Sequence, residues 1–342
     1  MIRFRVSSVM LLALMVVPVF GQRTILVDDD GAQCPGAVAT IREAVSRAAA
    51  GTTILVCPGT YRGEVEIRGQ NRNGIKLIAV GPAEGVVVGP QNAAEAAGFT
   101  LMDVSGVLIR GFTVSGFRSA ESTAAQFGAG SSIRLLEDAN ENTIEHNRMT
   151  NTGMFGVRII NGYGNVVQNN TIYSIDAFGF GCGIMFSGPK ANNNTIRHNL
   201  ISDTPGAGIM ARDGSGNVIV GNTLLNNGRY GIDVQGTSNT LVQANRATGG
   251  PGYWGSSPAG APGSLDSRGL NSQANDGMIA NLNEFTGNAG LDIFSDGEGK
   301  NDFSYNTCGL ANLNKLCTRV VSCPAGSRCS AKEAAWPPYD MM

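Results

Sequence analysis

Three oxygen-bearing side chains recur at matching places in short glycine-led runs: Asp233 in Gly231-Ile-Asp-Val234, Asn271 in Gly269-Leu-Asn-Ser272, and Asp292 in Gly290-Leu-Asp-Ile293. If these runs are strands stacked in register, the three would lie about 4.8 Å apart on neighbouring strands. Two carboxylates and an amide so placed could ligate a hard cation such as Ca²⁺, which takes oxygen ligands. Asp233 and Asp292 would stand two strands apart. That is within reach of the roughly 6.5–9.5 Å separation of an inverting glycoside-hydrolase acid pair. The corresponding residues of the preceding runs are Arg134, Arg158, Met185 and Met210. The column therefore changes from basic through apolar to acidic. Arg158 is the third catalytic candidate, as a base or as a contact to an acidic substrate. Arg134, Met185, Met210 and the neighbouring Arg212 are substrate-binding candidates. Like charges in register cost energy, so Arg134 beside Arg158 is rationalised by a bound anion. Solubility alone would also select Asp and Asn on an exposed strand face, so this pattern has a plainer reading too.

The elements that must position this column are legible as a repeat. Asn142-Thr-Ile-Glu-His-Asn147, Asn165-Val-Val-Gln-Asn-Asn170, Asn194-Thr-Ile-Arg-His-Asn199, Asn217-Val-Ile-Val-Gly-Asn222 and Asn239-Thr-Leu-Val-Gln-Ala-Asn245 start 23, 29, 23 and 22 residues apart. A period in the low twenties with two short strands per unit predicts stacked units that cannot bury their apolar faces alone. The second asparagine of each unit (147, 170, 199, 222, 245) would form a ladder. An amide carries both donors and an acceptor, and asparagine tolerates the left-handed backbone of a sharp bend. The histidines His146 and His198 share a place beside this ladder and read as turn residues.

This pattern resembles the right-handed parallel β-helix proteins of the pectin-lyase-like superfamily. Ala39-Thr-Ile-Arg-Glu-Ala-Val through Pro58-Gly-Thr-Tyr61 is similar to the passage that forms a capping helix and first rung in that superfamily. The resemblance implies an all-β, single-stranded right-handed parallel β-helix with an N-terminal capping helix. It also implies an acidic polysaccharide as partner, with lyase or glycoside-hydrolase chemistry as an option. The polygalacturonase and epimerase signatures are absent. The Gly-x-Tyr-x-Glu of pectin methylesterases is approached at Gly59-Thr-Tyr61-Arg-Gly-Glu64 with one residue too many. No catalytic residue is therefore carried over from those families. The alternative is a non-catalytic surface or adhesion solenoid.

The remaining features bound the chain. Residues 1–21, with Arg3, Arg5 and an apolar run, read as a secretory signal peptide, which would leave no membrane span after cleavage. Residues 22–60 are expected to form the cap and first rung, 61–310 the repeats, and 311–342 a cysteine-containing cap and tail. Lys and Arg number 25 against 27 Asp and Glu, and charged residues are only 15%. This balance excludes the basic face of a nucleic-acid binder. Of the 7 cysteines, Cys34 and Cys57 flank the predicted helix (39–50) and are expected to pair. Cys308, Cys317, Cys323 and Cys329 admit three pairings. Cys182 is left as a small buried thiol. Insertions at 118–130 and 247–267 break the period. The second carries Tyr253 and Trp254, which would overhang the acidic end of the column and stack on a sugar. The expectation is a secreted monomer, extracellular or periplasmic.

Overall fold

A computed structural model describes residues 23–118, 130–175, 181–250, 268–288, 291–309, 311–313, 316–317 and 319–320. The sequence-predicted signal peptide, Tyr253, Trp254, Cys323, Cys329 and most of the C-terminal tail lie outside these residues. Among the described residues the chain winds through three parallel sheets of 11, 9 and 11 strands. One rung shows the logic. Thr143–Glu145 lies in the first sheet, Arg148–Thr152 in the second and Phe155–Ile160 in the third, and Val166–Gln168 returns to the first. Each strand pairs in register with its equivalents on the rungs before and after, as Ile144 does with Ile109 and Val167.

The interior is aliphatic because alternate strand residues face inward. Ile144, Met149, Val157, Ile159, Val167 and Ile172 are all fully buried. The turn from the first sheet to the second is held by asparagine. Asn147, Asn170, Asn199, Asn222, Asn245, Asn283 and Asn306 are each at most 2% exposed. The oxygen of Asn199 accepts both the backbone N–H and the side-chain Nδ2 of Asn170, each at 3.0 Å, and its own Nδ2 donates to Val167 O at 2.9 Å. The same reciprocal pattern runs to Asn306. His146 and His198 are the residues before the ladder, at φ +54°, so they are turn residues as the sequence suggested. A shorter second ladder joins Asn142, Asn165, Asn194 and Asn217 at the opposite turn. Asn239 does not continue it. Val218 pairs with Leu241, which brings Thr240 into the ladder position, and Asn239 takes the left-handed turn at φ +51°.

The corner from the second sheet to the third is closed by glycine. A Cβ at Gly183 would lie 2.3 Å from Ile201 Cγ2 and 2.7 Å from Gly208 O, and one at Gly231 would lie 2.4 Å from Ala247 Cβ. The two sheets approach too closely there for any side chain. Both sequence insertions fall in this same connection: 116–130 leads into Ser131–Leu136, and 249–267 leads into Arg268–Gln273.

The N-terminal end is covered by a short helix, α1 (Ile41–Arg47), capped by Thr40, whose Oγ1 accepts from Glu43 N. It is shorter than the predicted 39–50 because Ala48 turns to extended backbone at ψ 139°. Its buried face, Ile41, Ala44 and Val45, lies on the first rung. Cys34 pairs with Cys57, as expected, and Cys308 with Cys317. Leu108–Arg110 and Thr113–Ser115 are two short strands of successive sheets. Gly111 at φ +82° makes the turn between them.

Candidate functional site

The outer face of the third sheet carries the predicted column, with one substantial correction. Backbone pairing places Arg134 beside Arg158, Arg158 beside Met185, Met185 beside Met210, Met210 beside Asp233, and Asp233 beside Asn271. The next member is Phe294, not Asp292. The last strand of the sheet is Ile293–Ser295, with Ile293 opposite Leu270. Asp292 thus precedes the paired strand, two residues out of the expected register. Its Oδ1 accepts from Asn288 Nδ2 at 2.8 Å and its Oδ2 from Gly309 N at 2.6 Å. It pins the end of the solenoid, and the Asp233–Asp292 pair does not assemble in the column. Arg212 pairs with Gln235 at the next outward position of the same strands.

At its N-terminal end the column continues through Thr100 to Glu66. Arg134 is held there by groups that sequence reasoning missed: its Nε donates to Thr100 Oγ1 at 2.7 Å and its Nη2 to Glu64 Oε1 at 2.8 Å. Glu64 lies outside the repeat pattern, so only its place in the near-match Gly-x-Tyr-x-x-Glu pointed to it. Arg158 is 6% exposed and lies over the Phe155 ring at 5.1 Å. Burial, and then the charge of Arg134, pushes its guanidinium down to about 10.

Behind the column runs an apolar stripe separate from the interior: Phe155, Cys182, Ala207 and Tyr230, with Met154, Met185 and Met210 packed on it. The buried Cys182 thiol belongs to this stripe, and burial pushes it up to about 12. Arg229 and Arg268 lie over Tyr230 at 4.8 and 5.8 Å, and Arg268 also lies over Phe294 at 3.9 Å. The sequence pattern did not reveal these arginine–aromatic contacts, because each joins residues on different rungs or at a strand edge.

Asp233 is 0% exposed on this outward-facing column, so solubility does not account for it. Its Oδ1 accepts from Asn271 Nδ2 at 2.6 Å and from Gln235 Nε2 at 2.8 Å, its Oδ2 accepts from Gln235 Nε2 at 3.0 Å, and Arg212 Nη2 lies 4.0 Å away. Burial raises the carboxyl above its ordinary range, although the two amides oppose that rise. The Asn271 oxygen in turn accepts from Arg268 Nη1 and, at 3.3 Å, from Gln273 Nε2.

These donors decide the fit of a cation. Calcium needs several oxygens turned toward one point. Here the Asn271 oxygen faces a guanidinium and an amide, its nitrogen faces Asp233, and Asp292 is elsewhere. The residues do not fit Ca²⁺. Arg158 and Asp233 are three rungs apart, about 14 Å along the sheet, too far to act on one bond.

The sequence profile of the family described as "Right handed beta helix region" matches residues 84–245 and, overlapping them, 179–308. No curated protein matches the sequence. In three dimensions the chain is similar to DFA-IIIase from Arthrobacter chlorophenolicus A6 in complex with DFA-III, with TM-score 0.55 and 15% identity over 85% of this chain and 78% of that one. It is also similar to an alginate lyase from Paenibacillus sp. str. FPU-7, with TM-score 0.51 and 16% identity over 86% and 96%. The Agl-KA catalytic domain matches with TM-score 0.52 and 15% identity over 82% and 62%. At these identities the likeness is one of fold.

Proposed function

We propose that this chain, which belongs to the right-handed β-helix family, engages an acidic polysaccharide on the outer face of its third sheet, with Asp233 as proton donor to the departing glycosidic oxygen. The observation that carries this reading is a fully buried carboxyl, raised by burial, on the outward side of the solenoid. A carboxyl whose burial makes it hold its proton more tightly is what general-acid catalysis favours. Gln235 and Asn271 fix its orientation. Arg134, Arg158 and Arg212 line the same face and suit a chain of uronates, because a guanidinium matches a carboxylate in two-point geometry. Met185 and Met210 offer an apolar floor for sugar rings. The names of the similar solved structures, a DFA-IIIase and an alginate lyase, support a carbohydrate substrate.

Hydrolysis uses a pair of carboxylates. The only other acid in this column among the described residues is Glu66, six rungs away. Elimination beside a uronate carboxylate needs one acid and one base rather than a pair of acids: Asp233 would protonate the departing oxygen, Arg212 beside it would hold the uronate carboxylate, and a water molecule would carry away the C5 proton, so a lyase reaction is favoured. The two disulfides suit an oxidising compartment, and residues 1–21 would direct export there. Among the described residues no helix is long and apolar enough to cross a membrane.

The test is a screen of the purified chain against pectate, alginate, hyaluronan and heparin, following ultraviolet absorbance of unsaturated ends. Asp233→Asn is expected to lower the rate by about 10²-fold or more. Arg158→Met is expected to weaken substrate binding without lowering the melting temperature. Chelator is expected to change neither. Binding without turnover would move the protein to the non-catalytic reading, and silence on every polymer would remove the polysaccharide reading.

A further inference from the structure

At the other end of the solenoid a cleft of about 430 Å³ opens between α1 and the first rung, lined by Arg42, Arg62, Gln91, Asp29, Thr60 and Tyr61 among others. Two glycines make room for its two guanidinium groups. A Cβ at Gly63 would lie 2.9 Å from Arg42 Cζ and Nη2, and one at Gly89 would lie 3.1 Å from Arg62 Nη1. Arg42 Nη2 donates to Gln91 Oε1 at 2.9 Å, which steadies it from one side and leaves further N–H donors of its fork. Arg62 has no hydrogen-bond or ion-pair partner among the described residues and is not one whose partner lies elsewhere. Asp29 is the one acid of the lining, and its Oδ2 already accepts Thr60 N at 2.8 Å. Tyr61 forms an anchored wall, its hydroxyl donating to Cys57 O at 2.7 Å. Two guanidinium groups and Asp29 thus line a space of the size of small-ligand pockets, and Asp28 and Asp30 set their carboxylate oxygens within 4.8 Å of that of Asp29.

We infer that this cleft binds a single carboxylated sugar unit, with the carboxylate held by Arg42 and Arg62 and the ring over the exposed Thr60. The planar guanidinium fork matches a carboxylate, and Asp29 and Gln91 offer acceptors for ring hydroxyls. Its placement agrees. Arg62 ends a strand of the second sheet and Val65 begins one of the third. The cleft therefore lies on the corner that carries both insertions, at the first rung of the outer face. A polyanionic chain laid along that face would end here. The choice of a sugar rests on the saccharide reading of the outer face, whereas the choice of a carboxylate rests on the cleft alone.

The experiment is calorimetric titration of the full chain with galacturonate, galactose and acetate, for wild type and for Arg42→Ala, Arg62→Ala, Arg62→Lys and Lys300→Ala. Galacturonate is expected to bind one to one. Each alanine variant should weaken it about tenfold or more, as loss of a charge-assisted hydrogen bond does, and Arg62→Lys should fall between. Lys300→Ala, at an exposed position away from both sites, should leave it unchanged, and galactose and acetate should bind at least tenfold more weakly than galacturonate. Urea midpoints check that the variants fold, which both exposed positions favour. No binding of galacturonate to the wild type, or equal binding by both alanine variants, overturns the site. Acetate binding as tightly as galacturonate overturns the sugar. Monomer binding that is lost in Arg42→Ala, without cleavage of any polymer, sustains this site while the outer-face reading fails. Cleavage without monomer binding does the reverse.

Discussion

Two stacks of polar side chains run the length of this solenoid, and they differ in kind. The turn ladder repeats one residue, asparagine, on seven rungs from 147 to 306, each amide giving and receiving within the stack. The outer column changes on nearly every rung, from Glu66 and Thr100 through two arginines and two methionines to Asp233, Asn271 and Phe294. A uniform stack satisfies itself and needs nothing from outside. A heterogeneous one sets unlike groups side by side and leaves charges desolvated, as the shifts of Arg158 and Asp233 show. Perturbed groups of that kind cluster at functional sites. Periodicity builds the scaffold here, and departure from it marks the face proposed to bind substrate.

The comparison is most sharply broken at the ladder. Asn199→Ala deletes the acceptor for Asn170 N and Nδ2 and the donor to Val167 O and Asn222 Oδ1. Leaving such buried groups unpaired costs about 1–3 kcal/mol each. A loss of about 3 kcal/mol or more is expected, read as a fall in the urea midpoint.

At the column the expected effect of Asp233→Asn on stability is smaller and depends on pH. Because the folded carboxyl is raised above 3.8, the folded chain holds a proton that the unfolded chain sheds. Stability is therefore fully present below about pH 3.8 and falls as pH rises through the higher folded value. Asp233→Asn removes that slope, so its stability relative to wild type should improve from acid toward neutral pH. Denaturant curves at several pH values check the sign, and a flat difference would show that Asp233 is ionised in both states. Arg158 runs the other way. Its lowered value means that wild-type stability rises above about pH 10.

The smallest effect is expected at the turn residue before the ladder. Ala244 stands at φ +52°, where another rung uses Gly221. Left-handed backbone costs a residue with a Cβ roughly 1–2 kcal/mol, offset in part by the entropy of glycine in the unfolded chain. Ala244→Gly should gain about 0.5 kcal/mol net, seen as a small rise in melting temperature without change in function.

Much of this architecture was written in local residue types. The Asn-x-x-x-x-Asn units named one turn and its ladder, because an amide with both donors and an acceptor can serve that bend on every rung. The glycine-led runs named the strands that carry the column, the passage from Ala39 named the capping helix, and Cys34 with Cys57 named a bridge. Basic, apolar and acidic members of the column were read in the right order from Arg134 to Asn271.

What failed was register at the points where the period breaks. Asn239 lost its ladder place to Thr240, and Asp292 lost its column place to Phe294. In a parallel sheet the pairing is decided by backbone hydrogen bonds to a rung 23 to 38 residues away, and no local signal carries that count. Three further decisions belonged to the tertiary structure alone. Asp233 is buried although its strand neighbours would allow exposure. Glu64 and Thr100 reach Arg134, and Arg42 and Arg62 meet across a cleft, through contacts between residues distant in sequence. The sequence determined which groups face outward along the solenoid. Their desolvation, their donors and their partners were decided only by the stacking of one rung on the next, because those quantities belong to the space between rungs.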